Sequence, residues 1–222
     1  MTSENLDYDR YSQALKHSAF LRDASLKSLK DLMTNMTLEW WNAKTFKSNM
    51  EIAATFHFIV SWILKVFKAN LDTGKEHTVF VLPNGDVFDV LSMLDTKPHD
   101  VYWEALDVLE VLKIPMDQMR LWVNKYPVIH KAILYYLGER MRQLMNVATD
   151  VTLHSTLVRL AGLILKNIKG ETRKLELINY LPNDEIAGLI GTTRSVVSRH
   201  ILELKRCRVI SVSWKKKLTS WT

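Results

Sequence analysis

The sequence predicts an α+β chain: an N-terminal antiparallel β jelly-roll barrel, then one long helix, then a basic module of helices and a hairpin. Three observations predict it. Short β-branched and aromatic stretches separated by turn signals fill residues 36–112. An apolar stripe at steps of three and four residues then runs from Ile129 to Ala148. The positive charge is concentrated in the last third, with 17 Lys and Arg against 19 Asp and Glu over residues 1–154, and 13 against 5 over residues 155–222. Such an asymmetry is expected where an acidic-to-neutral module is joined to one that meets nucleic acid.

Residues 5–35 read as two short helices, because Tyr11, Leu15, Phe20, Leu21, Leu26, Leu29, Leu32 and Met33 recur at helical steps, with a break near Phe20–Asp23. From Met36 to Leu112 the texture is all-β. The stretches Phe58–Phe67, Thr78–Leu82 and Leu109–Leu112 are divided by the turns Asp72-Thr73-Gly74-Lys75 and Pro83-Asn84-Gly85-Asp86. Many short strands at this spacing predict a sandwich or jelly roll. Helical periodicity returns at Pro115, and Pro127 opens a helix over Val128–Ala148, a rod of roughly 33 Å. Its stripe of Ile129, Ile133, Leu137, Met141, Leu144 and Ala148 reads either as core or as a coiled-coil dimer seam. The seam is favoured because a helix bridging two modules has little of its own domain to cover. A helix over Leu153–Lys169, a strand over Leu175–Tyr180, helices over Asn183–Ile190 and Thr193–Arg206, and a hairpin over Val209–Trp221 complete the chain. The segments are therefore residues 1–125, a sensor-like barrel; 126–150, a dimerisation helix; and 151–222, the basic module.

Composition removes whole classes of function. A chain of 222 residues that is 47% apolar folds, and its longest apolar runs, such as Phe56–Leu64, fall far short of the roughly 20 residues that span a bilayer. Met1–Arg10 lacks the apolar core of a secretory signal, so the expected location is cytoplasmic, without membrane attachment. The single Cys207 builds neither an internal disulfide nor an iron–sulfur cluster. Histidines 57, 77, 99, 130 and 154 lack metal-ligand spacing, and no metal site is predicted. The absence of a phosphate-cradling glycine loop or a nucleophile–base motif argues against an enzyme. Trp40, Trp41, Trp62 and Trp103 read as core and rim packing of the barrel.

The basic module carries the chemistry. Gly191 stands between two helices where a steep turn needs positive φ. Ile186, Ala187, Ile190, Val196, Val197 and Ile201 supply a small apolar interface, and Thr192 or Thr193 can cap the second helix. That leaves Thr193, Arg194, Ser195, Ser198 and Arg199 for one exposed face. Arginine reads guanine O6 and N7 bidentately in the major groove, and serine reaches phosphate or a base edge. Lys215, Lys216 and Lys217 tip the hairpin, where a wing grips backbone phosphate. The alternative, a helical hairpin with a solvated basic face, fits the charge excess less well.

On these residues the chain resembles the CRP/FNR superfamily of bacterial transcription regulators. Ile186-Ala187, then Gly191-Thr192-Thr193-Arg194-Ser195-Val196-Val197-Ser198-Arg199, is similar to its winged helix–turn–helix. Phe58–Phe67 and Gly85–Leu94 look like its strand pair and ligand cassette. The resemblance implies a cyclic-nucleotide-binding-like barrel, and a homodimer that sets two recognition helices on a palindromic site in double-stranded DNA, with RNA polymerase as a further partner. Effector-pocket candidates by the same resemblance are Phe88, Asp89, Val90, Leu91, Trp103 and Arg140.

Departures from the family pattern narrow the effector. Cyclic-nucleotide binders carry Gly-Glu after the cassette phenylalanine and an arginine about ten residues later, whereas this chain has Asp89-Val90 and no arginine from Lys68 to Lys113. Asp89, Asp100 and Glu104 would oppose a phosphate, so cyclic AMP is not expected to bind tightly. Leu91 stands where carbon-monoxide sensors place a haem-ligating histidine, and a haem would need another histidine pair. Phe88–Ser92 partly resembles the cassette of 2-oxoglutarate-sensing regulators, with Arg140 near a second ligand arginine. Trp62 replaces a glycine common in the family, so its ring is expected to fill space a ligand occupies elsewhere. Effector-independent regulation follows as the alternative. Serine at 195, where many members carry glutamate, implies a different half-site.

Overall fold

The computed structural model describes residues 7–48, 54–97, 100–169, 174–175, 178–213 and 217–220. The chain divides into two compact units, residues 1–75 with 79–141 and residues 76–78 with 142–222.

The first unit opens with α1 (Tyr8–Lys16) and α2 (Leu26–Met33), capped by Asp7, whose carboxylate accepts from Arg10 N at 3.1 Å, and by Ser25, whose hydroxyl accepts from Ser28 N at 3.1 Å. Eight strands follow: β1 (Thr37–Trp41), β2 (Phe46–Ser48), β3 (Thr55–Ser61), β4 (Leu64–Asn70), β5 (Lys75–Leu82), β6 (Val87–Phe88), β7 (Tyr102–Ala105) and β8 (Leu109–Pro115). They form two four-stranded sheets, ordered β1-β8-β3-β6 and β2-β7-β4-β5. Alternation along β3 shows why both faces of the first sheet are apolar. Phe56 and Phe58, with Leu112 and Ile114 of β8, pack under the helices, whereas Ile59, with Leu109 and Val111 of β8, joins Leu64, Val66 and Trp103 of the second sheet. A bulge between Ile59 and Ser61 shifts the register, so that Ser61 pairs with Glu110.

Three expectations need correction here. The β region is interrupted by α3 (Val90–Asp95), bracketed by left-handed Asp89 (φ 74°) and Thr96 (φ 59°). Phe58–Phe67 is two strands of different sheets, turned at Trp62 with φ 62°. The Trp62 ring is half exposed and fills no interior space.

Helix α4 (Met116–Lys125) and the first turns of α5 (Val128–Leu153) close the helical side, where Trp122 Nε1 donates to Ser28 O at 2.9 Å. At 26 residues, α5 is about 39 Å long. One polar anchor fixes α1 to the sheet: the carboxylate of Glu110, 1% exposed, accepts from Tyr11 Oη and from Arg10 Nη2, both at 2.6 Å. Burial, then the hydrogen bond to Glu110, pushes the Tyr11 hydroxyl pKa up to about 12. Arg10 is half exposed, so most of the stabilisation lies in the Tyr11 bond. Glu110→Gln is expected to lower unfolding free energy by about 2 kcal/mol, read as a fall in urea midpoint; an unchanged midpoint would contradict this.

The second unit contains the rest of α5 and α6 (Thr156–Lys166), then β9 (Ile168–Lys169) and β10 (Lys174–Leu175). A 3₁₀ turn (Ile178–Tyr180), α7 (Asn183–Ile190), α8 (Arg194–Arg206), β11 (Ile210–Ser213) and β12 (Lys217–Ser220) complete it. Its four strands order as β11-β12-β10-β9. The helix expected over Leu153–Lys169 is shorter, because Ser155 takes the N-cap role and Ile168–Lys169 pairs antiparallel with Lys174–Leu175. The strand expected over Leu175–Tyr180 is reduced to Lys174–Leu175 followed by the 3₁₀ turn.

Candidate nucleic-acid interface

Packing in the second unit sets the angle between α7 and α8. Ile186, Ala187, Ile190, Val197 and Ile201 are buried between the helices and against Leu160 and Ile164 of α6, while Val196 is half-buried. Gly191 ends α7 in the left-handed region at φ 62°, and the amides of Gly191 and Thr192 both return to Ala187 O. A Cβ at Gly191 would meet Arg159 Nη1 only at 3.4 Å, so it is the left-handed turn that calls for glycine. Thr193 is the N-cap residue of α8, but its hydroxyl lies 3.0 Å from Ser195 Oγ and makes no capping bond.

This packing brings Thr193, Arg194, Ser195, Ser198 and Arg199 together as exposed residues at the start of α8. Of the predicted wing contacts, Lys215 and Lys216 lie outside the described residues, and Lys217 opens β12 with its side chain outside them. Sequence reasoning missed two polar contacts. Asn183 Nδ2 donates to Ser198 Oγ at 3.0 Å, and Thr156 Oγ1 lies 2.9 Å from Nε2 of the buried His200. Both join residues far apart in the chain, so no periodicity announces them.

The six effector-pocket candidates do not form one pocket. Phe88 and Trp103 meet between the sheets, centroids 5.6 Å apart, with Trp41 6.0 Å from Phe88 and the His57 ring stacked on Phe88 at 4.4 Å and 7°. Asp89 is buried at the end of β6. Val90 faces the other way, into the helical core, and Leu91 is 56% exposed; α3 rotates successive residues by about 100°, which a strand would not do. Arg140 is ion-paired with Asp86 and lies over the Phe80 ring, 5.4 Å from its centroid. Aromatic side chains thus occupy the space between the sheets. A cavity of about 440 Å³ opens instead among α3, α4 and α5, lined by Met93, Arg120, Val123, His130 and Ile133 among others.

The predicted seam also divides. Ile129 and Ile133 are buried in the first unit's own core and Leu137 packs partly against it, whereas Met141, Leu144 and Ala148 are exposed. Ile129 and Ile133 are therefore core residues, because the first two turns of α5 close the helical side of the first unit. Among the described residues, no group of three or more His, Cys, Asp or Glu side chains stands where it could hold a metal, and no helix is long and apolar enough to cross a membrane.

No protein-family model matches the chain. The CRP-like cAMP-activated global transcriptional regulator of Mycobacterium tuberculosis is 24% identical over 168 residues, covering 74% of this chain and 75% of that protein. The global nitrogen regulator of a Nostoc species is 27% identical over 192 residues, covering 79% of this chain and 83% of that protein. Among solved structures, a putative transcriptional regulator of the CRP/FNR family from Eubacterium rectale superposes with a TM-score of 0.67 at 17% identity, covering 93% and 95% of the two chains. Over most of its length this chain is thus similar in sequence to CRP-like and global nitrogen regulators, and in fold to a regulator of the CRP/FNR family.

Proposed function

We propose that this DNA-binding transcription regulator acts as a homodimer and reads a palindromic operator through α8. The observation that carries the reading is the exposed cluster of Arg194, Ser195, Ser198 and Arg199 on a helix pinned by the left-handed Gly191, in the part of the chain that holds the positive excess. The strand orders 1-8-3-6 and 2-7-4-5 support a jelly-roll barrel, and the β11–β12 hairpin supports a wing. On this reading, residues 1–125 form the sensor-like domain, 126–150 the dimerisation helix and 151–222 the winged helix–turn–helix. The protein works in the cytoplasm with RNA polymerase as its partner.

A corrected seam supports the dimer. Leu134, Leu137, Met141, Leu144, Ala148 and Val151 follow one another at steps of three and four, and all but the half-buried Leu137 are exposed. Paired along this stripe, two copies would set their α8 helices about 34 Å apart for successive major grooves.

Mobility-shift titrations test the DNA reading. Arg199→Ala is expected to cost about 1–3 kcal/mol on the operator and relax preference at one base pair. Lys216→Ala should weaken operator and random duplex alike and flatten the salt dependence. Equal losses on both duplexes for both variants would contradict the assignment. On the sensor side, the aromatic filling between the sheets and the Arg140–Asp86 pair favour effector-independent regulation over gating by cyclic AMP, 2-oxoglutarate or haem. Calorimetric titration with cyclic AMP is expected to give no heat of binding in the micromolar range.

A further inference from the structure

We infer that Asn183 fixes the direction of the Ser198 hydroxyl and so decides which kind of base edge Ser198 reads; this rests on the proposal that α8 enters the major groove. Asn183 is the first residue of α7 and is half-buried, and its Nδ2 donates to Ser198 Oγ at 3.0 Å. The two side chains are brought together by packing, since Ile186 and Ala187 of α7 and Val197 and Ile201 of α8 are buried between their helices.

A serine hydroxyl has one proton and two lone pairs. With a lone pair engaged by the Asn183 amide, the Ser198 proton is turned away from Asn183, and Ser198 is itself exposed beside Arg194, Ser195 and Arg199. Ser198 is then a directed donor. In the major groove it matches guanine O6 or N7, adenine N7 or thymine O4, and it opposes the cytosine N4 amino group, where two donors would meet. Asn183 is accordingly a positioning residue: it sets the polarity of a contact that it does not make.

Reversing the positioning group should reverse the preference. In Asn183→Asp the carboxylate can only accept, so Ser198 turns its proton inward and presents lone pairs to the duplex, favouring cytosine N4 or adenine N6. An acid in the first turn of a helix is compatible with the helix dipole, so α7 is expected to form, with an unchanged thermal midpoint as the control. Asn183→Ala frees the hydroxyl to rotate, and Ser198→Ala removes it.

The experiment is selection of bound duplexes from a randomised half-site library by the full-length protein and these three variants. At one position, wild type should prefer an acceptor-bearing edge over cytosine by about three- to tenfold, the range of one neutral hydrogen bond. Asn183→Asp should invert that preference, Asn183→Ala should bring it below about twofold, and Ser198→Ala should abolish it at that position alone. A merely structural role for Asn183 would weaken all duplexes together and leave the preferred base unchanged, and that result would overturn the inference. If wild type itself enriches no motif, the DNA-reading proposal fails and this inference with it; a wild-type motif unaltered in Asn183→Asp refutes the inference alone.

Discussion

Lowering the pH from 6.5 toward 3 is expected to remove about 4 kcal/mol of stability from the first unit through one side chain, His57. His57 is 1% exposed, stacked on Phe88 and edge-on to Trp41 at 5.8 Å, with Nε2 3.2 Å from Thr55 Oγ1. Desolvation in this aromatic setting drives its pKa down to about 3; the charges of Glu39 and Asp89 pull it up, those of Lys113 and Lys47 push it down, and burial wins. Between 6.5 and 3 the unfolded chain holds the proton and the folded chain does not, so unfolding takes up protons and stability falls with pH by up to about 1.4 kcal/mol per unit. Glu39 also contributes to acid lability but lower down: against its own desolvation, hydrogen bonds from Lys113 and Lys47 hold its pKa at about 2 instead of 4.5. The interval from 6.5 to 4.5 therefore isolates the histidine from Glu39, and in it wild type should lose about 2 kcal/mol. Urea midpoints measured across this interval should fall steeply for wild type and stay nearly level for His57→Gln, whatever that variant costs at neutral pH. Parallel slopes for the two proteins would show that His57 is not the acid-labile group.

How much of this was legible in the sequence depends on whether a residue type is forced by local geometry. Helix α7 matches its expected span over Asn183–Ile190, because Pro182 and Gly191 punctuate it with restrictions no other residue shares. Helix α3 was invisible: it is six residues long, and its flanking left-handed positions hold Asp89 and Thr96, where glycine would have marked the break. The apolar stripe of α5 was visible as a period, but a period does not say what covers it. Its first two turns, through Ile129 and Ile133, are claimed by the first unit's helical core, and a neighbouring row beginning at Leu134 is left exposed. At the interface the exposed face of α8 was readable from spacing, whereas the Asn183–Ser198 bond joins residues fifteen apart on two helices and exists only once the Gly191 turn has folded.

The second large effect concerns the link between β6 and the long helix. Asp86 precedes β6, and its carboxylate is ion-paired with Arg140, accepts from Tyr136 Oη at 3.0 Å and accepts from Val87 N at 2.9 Å; Tyr136 Oη also lies 2.9 Å from Val87 O. Burial and the Asp86 charge hold the Tyr136 hydroxyl firmly protonated, so it stays a donor across the working pH range. Arg140 lies between the Tyr136 and Phe80 rings, 4.7 and 5.4 Å from their centroids. Asp86→Ala is expected to cost about 3–5 kcal/mol, because a largely buried guanidinium loses the Asp86 carboxylate. Adding Arg140→Met, which keeps the apolar stem and removes the charge, should recover about 2 kcal/mol or more of that loss, a coupling that a cycle of urea midpoints would read. The same pair bears on regulation. In wild type the Arg140 cation already faces an internal carboxylate, so a small dianion has to displace Asp86 to reach it; in Asp86→Ala that competitor is gone. Millimolar 2-oxoglutarate should then raise the thermal midpoint of Asp86→Ala and leave wild type unmoved. A wild-type midpoint that rises with 2-oxoglutarate as much as the variant's would mean that Asp86 is displaceable, and that the first unit senses an anion after all.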